Sequence, residues 1–156
     1  MGMIIGRKLP QLKKGYLTVS DKYDVEGAIA AADLVDGMAV VIDSVNANTY
    51  KPAAANATDV AGFVLATNVK IDETQWPAGE TLTTKAGQVF NLMTKGFIAV
   101  EVDPSVVADV KNGVSVVAKD NGTFTTTGTP INGAKYTGVT EVKANGKVLA
   151  EVRFHI

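Results

Sequence analysis

The sequence predicts an all-β fold: a compact β-sandwich or β-barrel of short antiparallel strands. It has two related half-units, one or two short helices and an extended N-terminal arm. Three observations predict it. Runs such as "MAVVID", "VSVVAK" and "GKVLAEVRF" are rich in residues that favour a pleated, half-buried surface. Turn signals recur at close intervals: Asn-Gly at Asn112, Asn121, Asn132 and Asn145, and Asp-Gly at Asp36. Both residues of such a pair tolerate positive φ, which suits two-residue hairpin turns. Finally, the chain writes one stretch twice. "ADLVDGMAVV" from Ala32 and "ADVKNGVSVV" from Ala108 start 76 residues apart and share five of ten positions. Two copies at that spacing describe a pseudo-twofold domain, not a solenoid.

The elements follow in order. Residues 1–14 form an arm that mixes Gly, Pro and Lys with apolar Met3, Ile4, Ile5, Leu9 and Leu12. It shows no clean period of two or 3.6. Residues 15–156 form one β domain. "GYLTVSDKY" alternates and reads as a short strand. In "DVEGAIAAADLVDG", Asp24 suits an N-cap and the Ala run favours helix, so one or two helical turns are expected before Gly37. In the second copy Asp103 can cap, Pro104 suits the first helical position and Gly113 the stop. Each copy then enters a strand. The likeness extends over about 32–67 and 108–142: Tyr50 and Phe124 sit at comparable points, and "VAGFVLA" and "YTGVTEV" each hold a Gly. The last strand alternates Val148, Ala150, Val152, Phe154 and Ile156 against Glu151, Arg153 and His155, with Leu149 as its one exception.

A chain of 156 residues is most simply one domain, long enough to bury a core without staples. Fifteen basic residues against sixteen acidic ones give no electrostatic footprint for nucleic acid or an anionic membrane. The absence of cysteine excludes disulfides, thiolate catalysis and Cys-ligated zinc. The N-terminus lacks the apolar run of a signal peptide, and no window approaches a membrane span, so a soluble protein made in a cytoplasm is expected.

Catalytic constellations are hard to assemble. His155, the sole histidine, is expected to face outward beside Arg153. Ser115 follows Gly113 but has Val117 where a nucleophile elbow needs its second glycine. "GETLTTKAG", 79–87, fails the spacing of a phosphate loop and reads as a strand with a turn. Asp21, Asp24 and Glu26 suggest calcium but lack the loop pattern of a dedicated site. Asp103 and Asp109 are accounted for as a helix cap and a solvated face. Trp76 or Tyr50 could serve as a glycan platform, although packing is the plainer role. No enzyme activity and no cofactor are expected.

With these runs in view, the chain resembles the capsid cement, or decoration, proteins of tailed bacteriophages. The resemblance is carried by "DGMAVVID", "DVAGFVLAT", "AGQVFNLMTKGFIAVEV", "VKNGVSVVAKDNGTFTT" and "YTGVTEVKANGKVLAEVRF", and covers roughly 32–156. It implies a non-enzymatic structural protein on the outer surface of the virion. Its partner would be the major capsid protein, whose neighbouring subunits it would clamp, acting as a homo-oligomer, a trimer at three-fold or quasi-three-fold positions. On that reading Met3, Ile4, Ile5, Leu9 and Leu12 are the expected contacts with a capsid or sister subunit. The alternatives are another virion part, such as a head fibre base or tail protein, a carbohydrate-binding β module, or a small hydrolase using Asp103 and Asp109.

Overall fold

A computed structural model describes residues 12–19, 21–44, 47–66 and 83–156. Among these residues eleven strands run in order: β1 (Asp24–Ala30), β2 (Leu34–Val35), β3 (Ala39–Ser44), β4 (Thr49–Pro52), β5 (Gly62–Leu65), β6 (Thr83–Thr84), β7 (Val89–Val102), β8 (Val117–Ala118), β9 (Phe124–Thr125), β10 (Ala134–Val142) and β11 (Val148–Phe154). β2 and β6 pair apart from the rest.

The choice between sandwich and barrel is settled by closure. The sheet order β1-β4-β3-β5-β7 returns to β1 through six residue pairs, from Asp24 opposite Lys95 to Ile29 opposite Val89. Five strands thus close a ring, which removes their open edges. Its interior is filled by Ala28, Ala30, Val40, Tyr50, Val64, Phe90 and Leu92, with Leu34 and Met38 at one end. Tyr50 and Phe90 meet edge to face, with ring centroids 6.2 Å apart.

β7 is the spine of the molecule. Its first half belongs to the ring. Its second half, Gly96–Val102, pairs antiparallel with β11, which pairs with β10. β7 also takes β9 alongside Val102. A second and larger core fills the space between the outer wall of the ring and this extension. There Phe63 lies 5.7 Å from Phe124 and 5.2 Å from Phe154, with Met93, Ile98, Val100, Tyr136 and Val152 around them.

The expected helix in the first copy is a strand. Ala28 and Ala30 are buried while Gly27 is exposed, so the period is two. Alanine's helix preference is weak beside two sheet neighbours, and its small side chain fits opposite Phe90 and Tyr50. The second copy does turn helically: a 3₁₀ turn spans Pro104–Asp109, and the Asp103 carboxylate accepts from the Ser105 N–H at 2.9 Å. Among the described residues of "GYLTVSDKY", Leu17 bridges β7 opposite Ile98, and no strand is formed. Of the Asx-Gly pairs, only Asn121-Gly122 puts both residues at positive φ; at the other four the glycine alone does so.

The written repeat has a matching backbone. The Gly37 N–H donates to Val64 O (2.8 Å), Val64 N–H to Met38 O (2.9 Å), and Met38 N–H to Val35 O (3.2 Å). In the second copy Gly113 donates to Tyr136 O (2.9 Å), Tyr136 to Val114 O (2.8 Å), and Val114 to Lys111 O (3.1 Å). The next strand follows suit: Ile42 lies opposite Tyr50, and Ala118 opposite Phe124. The bonding frame equates Gly62 with Ala134, since Val40 faces the one and Val116 bonds the other. Gly138, matched to Gly62 on sequence alone, falls outside the equivalence.

Candidate functional site

His155, Ser115 and Asp103 lie on different segments, each with its own partners. His155 is exposed and leaves the last strand at φ 56, its ring centroid 4.1 Å from that of Phe154 and its N–H donating to Gly133 O. It borders an open groove with Ile42, Asp59, Val60 and Asn132, where Asn132 donates to Asp59 (3.1 Å). Ser115 Oγ accepts from Lys135 Nζ at 2.9 Å. Asp103 is occupied by Ser105 and by Lys119 Nζ at 2.7 Å, and Asp109 is exposed. Among the described residues no group of three His, Cys, Asp or Glu is placed to hold a metal ion. No described helix is long and apolar enough to cross a membrane.

Tyr50 is withdrawn from any glycan platform, because it is buried inside the ring. Trp76 lies outside the described residues. In 83–87, β6 pairs with β2, and the Ala86 N–H donates to Asp33 Oδ1 (3.1 Å), a strand and turn.

The built feature is the base of the arm. On the outer face of the extension, Glu101 (β7), Leu149 (β11) and Glu141 (β10) form one cross-strand row in register. Residues 14 to 12 walk along it. Lys14 Nζ pairs with Glu101 (3.1 Å). Leu12, 1% exposed, packs on Leu149, Ala99 and Val139. The Leu12 N–H donates to Glu141 Oε1 (2.7 Å), which Lys143 Nζ also reaches (2.9 Å). These two donors, Lys143 foremost, hold the Glu141 carboxyl below the usual glutamate range against partial burial. Downstream, Gly15 N–H donates to Ala99 O, Ala99 N–H to Tyr16 O, and Thr18 N–H to Phe97 O, sewing the chain onto β7.

Of the five expected contact residues, Leu12 is thus buried against its own sheet. Met3, Ile4, Ile5 and Leu9 lie outside the described residues. Sequence reading missed Lys14, Glu101, Glu141 and Lys143. The signal was Leu149, the one apolar residue on the polar face of its strand: it needs a cover, and Leu12 supplies it.

Residues 12–18 are thus held along the outer face of the β extension by side-chain and backbone bonds. A search of curated proteins finds no match. The family model for the XM1 gp53 minor capsid protein matches residues 2–154. That span is nearly the whole chain, which accordingly belongs to the XM1 gp53 minor capsid protein family, as a structural component of the phage capsid.

Proposed function

We propose that this protein decorates the outside of the mature phage head and holds neighbouring major capsid subunits together. It acts as a trimer, without catalysis, and uses its arm as the fastening element. The observation that carries this reading is the fixed exit of the arm. Lys14 and Leu12 are clamped to the Glu101–Leu149–Glu141 row, and an apolar-rich segment with Met3, Ile4, Ile5 and Leu9 lies upstream. A strap held at its root loses less freedom on docking than a free tail, so more of its contact energy appears as affinity. Several straps engaged together add avidity. Binding the mature shell better than its precursor then stabilises the mature state.

Quantitative mass spectrometry of density-purified particles tests the reading. A copy number comparable with the major capsid protein supports decoration. A handful of copies assigns the chain to a vertex or the tail, and absence overturns the reading. A truncated protein provides the second arm of the test. The cut belongs before Leu12, because removing Leu12 and Lys14 would strip the outer face. The protein lacking residues 1–11 is expected to fold and to lose capsid binding.

A further inference from the structure

The row that holds the arm also gives its direction. From Lys14 to Leu12 the chain crosses from β7 over β11 to β10. β10 is the last strand of the sheet, so Leu12, where the described chain begins, lies beside that edge.

The edge is covered along only part of its length. Ala134 and Tyr136 bond residues 113–116 through the bonds given above and the Ser115–Lys135 bridge. Beyond the register shift between Tyr136 and Thr140, β10 has only β11 as a neighbour among the described residues. The hairpin closes with the Lys143 N–H donating to Lys147 O at 2.8 Å. Bonded and non-bonded pairs alternate in an antiparallel ladder. Glu141 and Leu149 therefore form the next bonded pair, and the N–H and C=O groups of Thr140 and Val142 point outward. Val142, which lies between Glu141 and the turn, is 65% exposed. An open edge with an exposed apolar side chain such as Val142 can template another strand.

We propose that this edge, Thr140–Val142, accepts residues Met3–Ile5 from a second copy of the chain as an added strand. The proposal rests on the reading of the arm as an intersubunit contact. Met-Ile-Ile is a short β-prone run without charge. It ends seven residues before Leu12, roughly 23 Å of extended chain. Leu9 precedes Pro10, a pair that disfavours a helical reversal and favours extended backbone. A chain that continues extended beyond Leu12, past its own edge, carries Met3–Ile5 away from that edge, within reach of a neighbour. The same step repeated head to tail closes a ring when the rotation permits.

The cysteine-free sequence gives a clean test. The double variant Ile4→Cys/Val142→Cys is prepared as a mixture of isotopically heavy and light copies and oxidised mildly. The expected product is a disulfide-linked peptide pair joining residue 4 of one isotope to residue 142 of the other, with multimers on a non-reducing gel. Adding Thr140→Pro should abolish the link without unfolding the domain, because that outward N–H has no ladder partner to lose. Val142→Lys, in the protein carrying Ile4→Cys and Thr140→Cys, is a second block that leaves the backbone intact. Linked pairs of matched isotope only would show that the chain's own arm fills the edge and would overturn the proposal. So would the absence of any link between the two sites. Either failure is separable from failure of the decoration reading, which shows as capsid binding that survives loss of residues 1–11.

Discussion

Leu12 donates its backbone N–H to the carboxylate of Glu141, 129 positions later, at 2.7 Å. The bond joins the root of the arm to the last strand of the sheet, and it stands beside an apolar contact on Leu149. Either interaction alone is modest: a hydrogen bond to a charged group contributes about 1.5–3 kcal/mol. Together they fix Leu12 on the outer face of the sheet.

That bond makes the arm's attachment pH-dependent. Lys143 and then Leu12 stabilise the ionised Glu141 and lower its pKa. A carboxylate depressed in the folded state contributes stability above its unfolded pKa of about 4.3. The contribution is lost as pH falls through the lower, folded value. The Leu12 amide resonance is expected to shift with a midpoint below about 4.3, and Glu141→Gln should remove that titration. A midpoint at the ordinary glutamate value, or a titration that survives the substitution, would count against the tether.

How much of this was legible in the sequence depends on range. Local signals read well: the second copy's cap at Asp103, the strand at 148–154, and the duplicated stretch whose hydrogen bonds repeat in Gly37 and Gly113. Ring closure did not read, because it pairs Asp24 with Lys95, and no local pattern encodes a partner so distant. Ala28 and Ala30 misled for a related reason. Their helix preference is intrinsic, whereas the need for small side chains beside Phe90 and Tyr50 exists only once the ring has formed. Leu149 carried the trace of the arm contact, but reading it required knowing what would cover it.

Two glycines should respond in opposite ways to alanine. A Cβ on Gly62 would overlap the Met93 carbonyl oxygen, a backbone atom of the paired strand β7 that cannot easily give way, and would come 2.8 Å from Leu92 Cδ1. Gly62→Ala is expected to cost about 3 kcal/mol or more, at the severe end of overpacking. Gly27 has nothing within 4 Å of a built Cβ and no positive φ. Gly27→Ala is expected to stabilise by about 0.4–1 kcal/mol, through lost freedom in the unfolded chain. Urea unfolding of both variants checks the pair, and equal effects would refute the close approach of β5 to β7.

Tyr136 carries the second prediction about the core. Its side chain is fully buried, its hydroxyl donates to Thr125 O at 2.8 Å, and burial pushes the phenol pKa well above its ordinary value. Tyr136→Phe keeps the ring but strands the carbonyl, at a cost of about 1–3 kcal/mol. The loss should appear as a lower urea midpoint with an unchanged slope, because the exposed surface stays the same. A neutral substitution would mean that Thr125 O finds another donor.

Asp103 joins the 3₁₀ turn to β8 through Lys119, the residue just after that strand. Lys119 first, then the Ser105 N–H and hydroxyl, lower its pKa to about 2. The sign is that of a depressed carboxylate. The stabilisation is complete above the unfolded pKa of about 3.9 and fades as pH falls toward about 2. Asp103→Asn keeps an acceptor for Ser105 but gives up the ionic bond to Lys119, and Asp103→Ala gives up both. At about pH 6 the melting temperature should therefore rank wild type above Asn and Asn above Ala. On acidification the gap between wild type and Asn should close, because the protonated wild type no longer holds a charge for Lys119. A gap that stays constant down to about pH 2 would show that the carboxylate acts through shape and capping alone, with no contribution from its charge.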